Sequence, residues 1–173
     1  AIRRLADEGL VTIAANKRSY VADVDETHAE EIFDLLAFLE SYLAGLAATR
    51  ITPEKLTELQ SILDLQKQLI ATHPEDDQRF LELNIQFHRL IHQAGGSPIL
   101  LEIAARVENF TQSLYLKHGR ATENAGSVDQ HDQLFNALAS GDKTRSELLM
   151  RLHVESVRKE CREIWLDLNG RRD

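Results

Sequence analysis

The chain has 173 residues, 43% hydrophobic and 28% charged, a balance that excludes an extended disordered chain and suffices for one globular domain with its own core. A net charge of −8 excludes a body-wide nucleic-acid surface, because affinity for a phosphate backbone rests on Lys and Arg. Uninterrupted apolar runs fall far short of the roughly 18 residues of a membrane span, no signal peptide opens the chain, and the lone Cys161 offers neither a disulfide nor a CxxC pair, so no membrane and a reducing cytoplasm are expected.

The chain opens inside a helical pattern, "AIRRLADEGL", where Ile2, Leu5 and Leu10 alternate with charges and Gly9 marks a stop; its only methionine is Met150, so a longer natural chain is expected. "LVTIAANKRSYVADV" follows, two short β-favouring runs around a polar turn at Ala15 to Arg18, the pattern of a hairpin. From Thr27 the pattern is helical throughout. A first helix over about Thr27–Thr49 carries Ile32, Leu35, Leu36, Leu39, Leu43 and Leu46 at helical spacing. Thr52 and Pro53 are an N-cap and first-position proline opening a second helix to about Thr72. A third runs from about Glu75 to Ala94 and stops at Gly95-Gly96. Ser97-Pro98 starts a fourth, with Leu100, Ile103, Val107, Phe110 and Leu114, ending near Gly119. A fifth covers about Asn124–Ala139, stopped by Gly141, and Asp142 caps a sixth that reaches about Leu168. The expected fold is all-α, an antiparallel bundle of about six helices over residues 25–173, preceded by a helix and β-hairpin unit at 1–24.

The histidines are the informative polar residues. On the third helix the apolar residues Phe80, Leu83, Phe87, Leu90 and Ile91 form one arc, with Asn84 at its edge and His88 about 40° beyond, whereas His92 falls toward the flank. His131 sits among Val128, Leu134, Phe135 and Leu138, and His153 among Leu149, Met150, Val157 and Ile164, so both are expected inside. One buried histidine is ordinarily a hydrogen-bonded core residue. Three on inward faces of different helices carry a polar burial cost that a shared metal removes, and the i, i+4 pair Asn84 and His88 would supply two donors to His131 and His153. His28, His73, His92 and His118 are read as helix-end or flank residues.

"AIRRLADEGLV", "NKRSYVADV", "FLELNIQFHRLIHQAGGSPIL", "QHDQLFNALASGD" and "MRLHVESV" together resemble the GntR family of bacterial transcription regulators, FadR subfamily, with its FCD effector domain. The resemblance covers essentially the whole chain. It implies that residues 1–24 are the end of a winged helix-turn-helix, with Lys17 and Arg18 at the wing tip facing DNA phosphate, and that a homodimer binds operator DNA through the full-length protein. It implies a small carboxylate effector and a divalent metal on Asn84, His88, His131 and His153; Thr111 and Tyr115 of the fourth helix, with polar atoms that can reach a cavity, are the candidate effector contacts. Zinc or nickel suits this donor set, as do iron and manganese.

Two positions depart from the family. Asn84 stands where Asp is common, and Leu36 where an effector-pairing arginine often stands in an R-x-x-L-E pattern. With only neutral donors, the metal's charge calls for an anionic ligand. A metal-free domain for a bulkier acyl ligand is the second reading. A His-metal hydrolase is the third, weakened because no HExxH or comparable acid accompanies the histidines, so no enzyme is expected.

Overall fold

The computed structural model describes residues 11–13, 19–21, 26–107 and 124–169, with side-chain surroundings over 29–107 and 124–163. Strands β1 (Val11–Ile13) and β2 (Ser19–Val21) pair antiparallel, Thr12 opposite Tyr20, as the two β-favouring runs of the sequence suggest. Lys17 and Arg18 lie outside the described residues.

Six helical segments follow among the described residues: α1 (Glu26–Arg50), α2 (Pro53–Thr72), α3 (Asp77–Gly95), α4 (98–107), α5 (Asn124–Ala139) and α6 (Lys143–Asn169). Their ends are set by local chemistry. Thr52 accepts a hydrogen bond from the Lys55 N–H with Pro53 behind it. Asp76 accepts from the Arg79 N–H, so α3 begins two residues later than the apolar pattern suggests. Gly96, at φ +75°, ends α3 in the left-handed region that favours glycine, and Ser97 caps the next segment through the Leu100 N–H. Asp142 caps α6 through the Arg145 N–H.

Helix α1 is the hub, packing against α6, α3 and α5, while α2 packs on α3 and α5, and α5 on α6. Phe33, Ala37, Ala44 and Ala47 of α1 meet Leu59 and Leu63, Phe80, Phe87 and Ile91, Leu134 and Leu138, and Met150 and Val154 in one buried cluster. Each large side chain so buried contributes about 1.5–3 kcal/mol. Two residues at core-like spacing, Leu35 and Ile103, are instead exposed. Averaged over a window rather than an unbroken run, Ala29–Arg50 is apolar enough to cross a membrane (mean hydropathy 1.4), and 61% of that window is buried as the bundle's central helix.

A Cβ on Gly95 would lie 3.1 Å from the Leu43 carbonyl oxygen, so glycine there lets α3 approach α1 closely. The Arg50 guanidinium donates to the Gly95 carbonyl and ties the same ends together. Farther along α1, Arg158 of α6 joins Asp34 and Glu30. These contacts fix the helices that carry the site.

Candidate metal centre

His88 of α3, His131 of α5 and His153 of α6 converge, 8%, 0% and 4% exposed. Ring centroids are 5.5 Å apart for His88 and His131, 4.8 Å for His131 and His153, and 5.2 Å for His88 and His153. One potential ligand nitrogen from each lies within 4.8 Å of the other two. Tetrahedral zinc with Zn–N near 2.0–2.1 Å sets its nitrogens roughly 3.3 Å apart, within that limit. The Phe87 ring stacks on His131 at 4.2 Å and walls the cluster on the core side.

The outer nitrogens of all three rings are engaged. Nδ1 of His131 lies 2.9 Å from Gln66 Oε1, Nδ1 of His153 lies 2.8 Å from Gln130 Oε1, and Nδ1 of His88 lies 3.1 Å from Glu40 Oε2. Burial pushes the Glu40 carboxyl up, but His92 and His88 outweigh it and hold the group well below the usual carboxylate range. An ionised carboxylate only accepts, so Nδ1 of His88 carries the hydrogen, and the Gln oxygens place the hydrogen on Nδ1 of the other two in the same way. His131 and His153 are each left with an Nε2 lone pair. Nε2 of His131 is buried and has no hydrogen-bond partner among the described residues. Such an orphan costs about 1–3 kcal/mol. Burial, then the neighbouring His153 and His88, pushes His131 well below its ordinary value, and burial with His88 lowers His153 to about 3. Three imidazoles, each held at Nδ1 by an outer acceptor, are the donor set of a first-row divalent metal, and the residues fit one.

Asn84, one turn before His88, is half-buried. Two expectations are corrected. His92 is not a flank residue: it is 3% exposed, and its Nε2 lies 2.8 Å from Glu40 Oε1. An acid does accompany the histidines, because Glu40, 2% exposed, joins His88 and His92 in a second buried group. Glu40 lies on the Nδ1 side of His88, the outer side of the cluster, so it orients the imidazole rather than facing a ligand on Nε2. Thr111 and Tyr115 lie outside the described residues, as does His118.

The signal for the missed residues was present. Glu40 continues the stripe Phe33, Ala37, Glu40, Ala44, Ala47, and Gln66 continues Leu59, Leu63, Gln66, Ile70, each a polar residue at a core register of its helix. The buried arc of α3 spans about 180° and is centred near Asn84, because the helix packs on both α1 and α2. His88, His92 and Gly95 occupy one side of that arc, and an arc drawn from apolar residues alone leaves them out.

Known proteins share both sequence and architecture with this chain. Residues 31–156 match the FCD domain. The HTH-type transcriptional repressor RspR of Escherichia coli is 25% identical over 168 residues, covering 95% of this chain and 72% of that protein. The HTH-type transcriptional repressor NanR of Klebsiella aerogenes is 27% identical over 132 residues, 71% of this chain and 47% of that protein. Among solved structures, E. coli McbR/YncC superposes with a TM-score of 0.84 at 20% identity, over 94% of this chain and 77% of that one. A metal-free FCD domain of TM0439 superposes at 0.65 and 17% identity, over 84% and 99%. These two share the fold. With the match spanning most of its length and all of the histidine cluster, the chain belongs to the FCD domain family.

Proposed function

We propose that this chain is the ligand-sensing part of a cytoplasmic GntR-type, FadR-subfamily transcription regulator, and that it binds a small carboxylate at a divalent metal on His88, His131 and His153, with Asn84 as fourth protein donor. The observation that carries this reading is the orphaned, buried Nε2 of His131 inside a cluster whose outer nitrogens are all engaged. Zinc or nickel fits three imidazoles and an amide oxygen best. The named repressors among its relatives support a regulatory role. Residues 1–24 are then the end of a winged helix-turn-helix, operator DNA is bound by a dimer of the full-length protein, and Lys17 and Arg18 contact phosphate. Thr111 and Tyr115 contact the effector.

The metal, when bound, supplies a Lewis-acidic site for a ligand carboxylate. The chain's own residues set its selectivity. Asn84 brings no charge and Leu36, 8% exposed on α1, brings no cation to pair with the ligand. Glu40 shares its charge between His88 and His92, so only part of it offsets the metal. An anionic ligand completes the balance. Glu40, the acid that joins the histidines among the described residues, faces away from the ligand position, which favours a sensor over a hydrolase.

Elemental analysis of protein purified without a metal-affinity tag is the test. One metal per chain, lost in His131→Ala, is the expected result. A metal-free wild-type protein that also fails to take up zinc or nickel on dialysis would sink the metal reading and favour an acyl-type ligand beside Leu36. A thermal-shift screen of small carboxylates with and without chelator then identifies the ligand class, since a ligand of the folded state stabilises it by mass action.

A further inference from the structure

A second set of ligand atoms lies on the other side of His88. Glu40 of α1 reaches between His88 and His92 of α3, its Oε2 3.1 Å from Nδ1 of His88 and its Oε1 2.8 Å from Nε2 of His92. All three side chains are buried, and one donor atom from each lies within 4.8 Å of the other two. The backbone fixes this juxtaposition. His88 and His92 stand one turn apart on one helix face. Three residues beyond His92, the missing Cβ of Gly95 lets α3 approach the carbonyl of Leu43, itself three residues beyond Glu40.

The chemistry of this set differs from that of the inner cluster. His88, His131 and His153 offer only imidazoles, which suit zinc or nickel, whereas two imidazoles and a carboxylate suit harder ions of higher coordination number, above all Fe(II) and Mn(II). Adjacent ligands of an octahedral ion with bonds near 2.1 Å stand roughly 3 Å apart, close to the two contacts that Glu40 makes. The Glu40 carboxyl stays well below the usual carboxylate range despite its burial, held there by His92 and His88. A buried charge persists only when it is paired or bound to a metal. Hydrogen bonds from neutral imidazoles share that charge without cancelling it; a divalent ion cancels it outright.

We propose that Glu40, His88 and His92 form a second cation site, for Mn(II) or Fe(II), which shares His88 with the inner centre and so competes with it. To bind the outer ion, His88 gives up the hydrogen on Nδ1 and carries its hydrogen on Nε2, and a ring protonated at Nε2 has no lone pair for the inner metal. His92 likewise carries its hydrogen on Nδ1, leaving Nε2 to the ion. The chain then holds one metal at a time. An ion in the outer position takes a ligand from the carboxylate-binding centre and lowers its affinity for zinc, a coupling that is reciprocal. With three protein donors instead of four, the outer position is the weaker, so it fills from added Mn(II) rather than during purification. The competition rests on the proposed inner centre; the outer site itself does not.

Titration of metal-free protein with Mn(II), followed by the electron paramagnetic resonance signal of the free ion, is the test, with zinc affinity and unfolding measured on the same samples. His131→Ala, which removes an inner ligand, is expected to bind one Mn(II) per chain with its affinity changed by less than about tenfold. Adding His92→Gln to that variant is expected to weaken Mn(II) binding by at least about tenfold. In the wild-type chain, saturating Mn(II) is expected to weaken zinc binding about tenfold, and His92→Gln alone to abolish that effect while folding and zinc binding are retained. Mn(II) binding that is lost in His131→Ala and kept in His92→Gln places the ion in the inner cluster and overturns the outer site, leaving the inner centre standing. Mn(II) uptake that depends on His92 in a chain that binds no zinc upholds the outer site and sinks the inner one. Zinc and manganese bound together, two metals per chain, overturn the sharing of His88. A wild-type chain that takes up no Mn(II) at millimolar concentration overturns the site.

Discussion

Gln66 offers the sharpest perturbation of the proposed metal centre because it touches the site only through a histidine. Gln66 and His131 are both 0% exposed, and Gln66 Oε1 lies 2.9 Å from His131 Nδ1. In Gln66→Leu the Nδ1–H loses its acceptor with no water to replace it, at about 1–3 kcal/mol. The same substitution deletes the Gln66 Nε2 group, which is itself buried without a hydrogen-bond partner and costs a similar amount. The two nearly offset, so the metal-free protein is expected to keep its stability within about 1 kcal/mol. Metal affinity has no such offset. An imidazole free to change tautomer or rotate binds about 10–100-fold more weakly, or about 1.4–2.7 kcal/mol. Gln66→Glu acts the other way: a carboxylate on Nδ1 raises the basicity of Nε2 and removes the orphaned amide donor, so metal binding tightens. Competition for zinc against a chromophoric chelator, with chemical denaturation of the stripped protein, separates the two effects. A Leu variant whose zinc affinity stays within about twofold of wild type would refute the positioning role. Tighter binding in the Leu variant would show that the opposite tautomer of His131 is the one held.

Glu40→Leu leaves the nitrogens of His88 and His92 without their buried acceptor, at a cost of about 3–5 kcal/mol, or roughly 6–20 °C in Tm, and an unchanged melting curve would contradict it. In metal-free protein, His131 and His153 are neutral when folded and take up protons on unfolding. Their folded values are depressed, so stability is complete above pH 6.5 and falls as the pH drops from there toward about 3; urea titrations at pH 7, 6 and 5 check this, and a flat profile would be wrong. Gly96→Val forces a β-branched residue into φ +75° at the end of α3 and is expected to cost about 1–2 kcal/mol, read from the urea midpoint, with metal stoichiometry retained.

Helix ends were the most legible part of the fold, since each is written in a residue whose chemistry is local: Thr52-Pro53, Gly96, Ser97-Pro98 and Asp142 all act where the pattern places them. The inward turn of His131 and His153 was equally legible, because each lies near the centre of an apolar stripe. What the periodicity hid is polar burial that only a tertiary neighbour explains. His92 looks peripheral until α1 brings Glu40 to its Nε2, and Glu40 looks like a solvent-facing acid until His88 and His92 are placed against it. Neither half of such a pair is interpretable alone, since a buried charge is tolerated only with its partner present.

On the proposed metal reading, the same reasoning explains how a centre with Asn84 rather than an acid would hold a cation. Charge in direct contact with a metal is one way to favour it; charge placed one hydrogen bond out, through an imidazole, is another, weaker but less committed. Glu40 acts through His88 in this second way, and its simultaneous contact with His92 dilutes the charge it can deliver. Moving the carboxylate outward leaves the inner positions neutral, so a divalent ion there keeps more of its attraction for an incoming anion than it would beside a ligating aspartate. On this argument Asn84→Asp strengthens metal retention while weakening capture of a carboxylate. Opposite signs for those two effects, measured on one variant by chelator competition and by carboxylate-induced thermal shift, separate a charge effect from simple damage to the site.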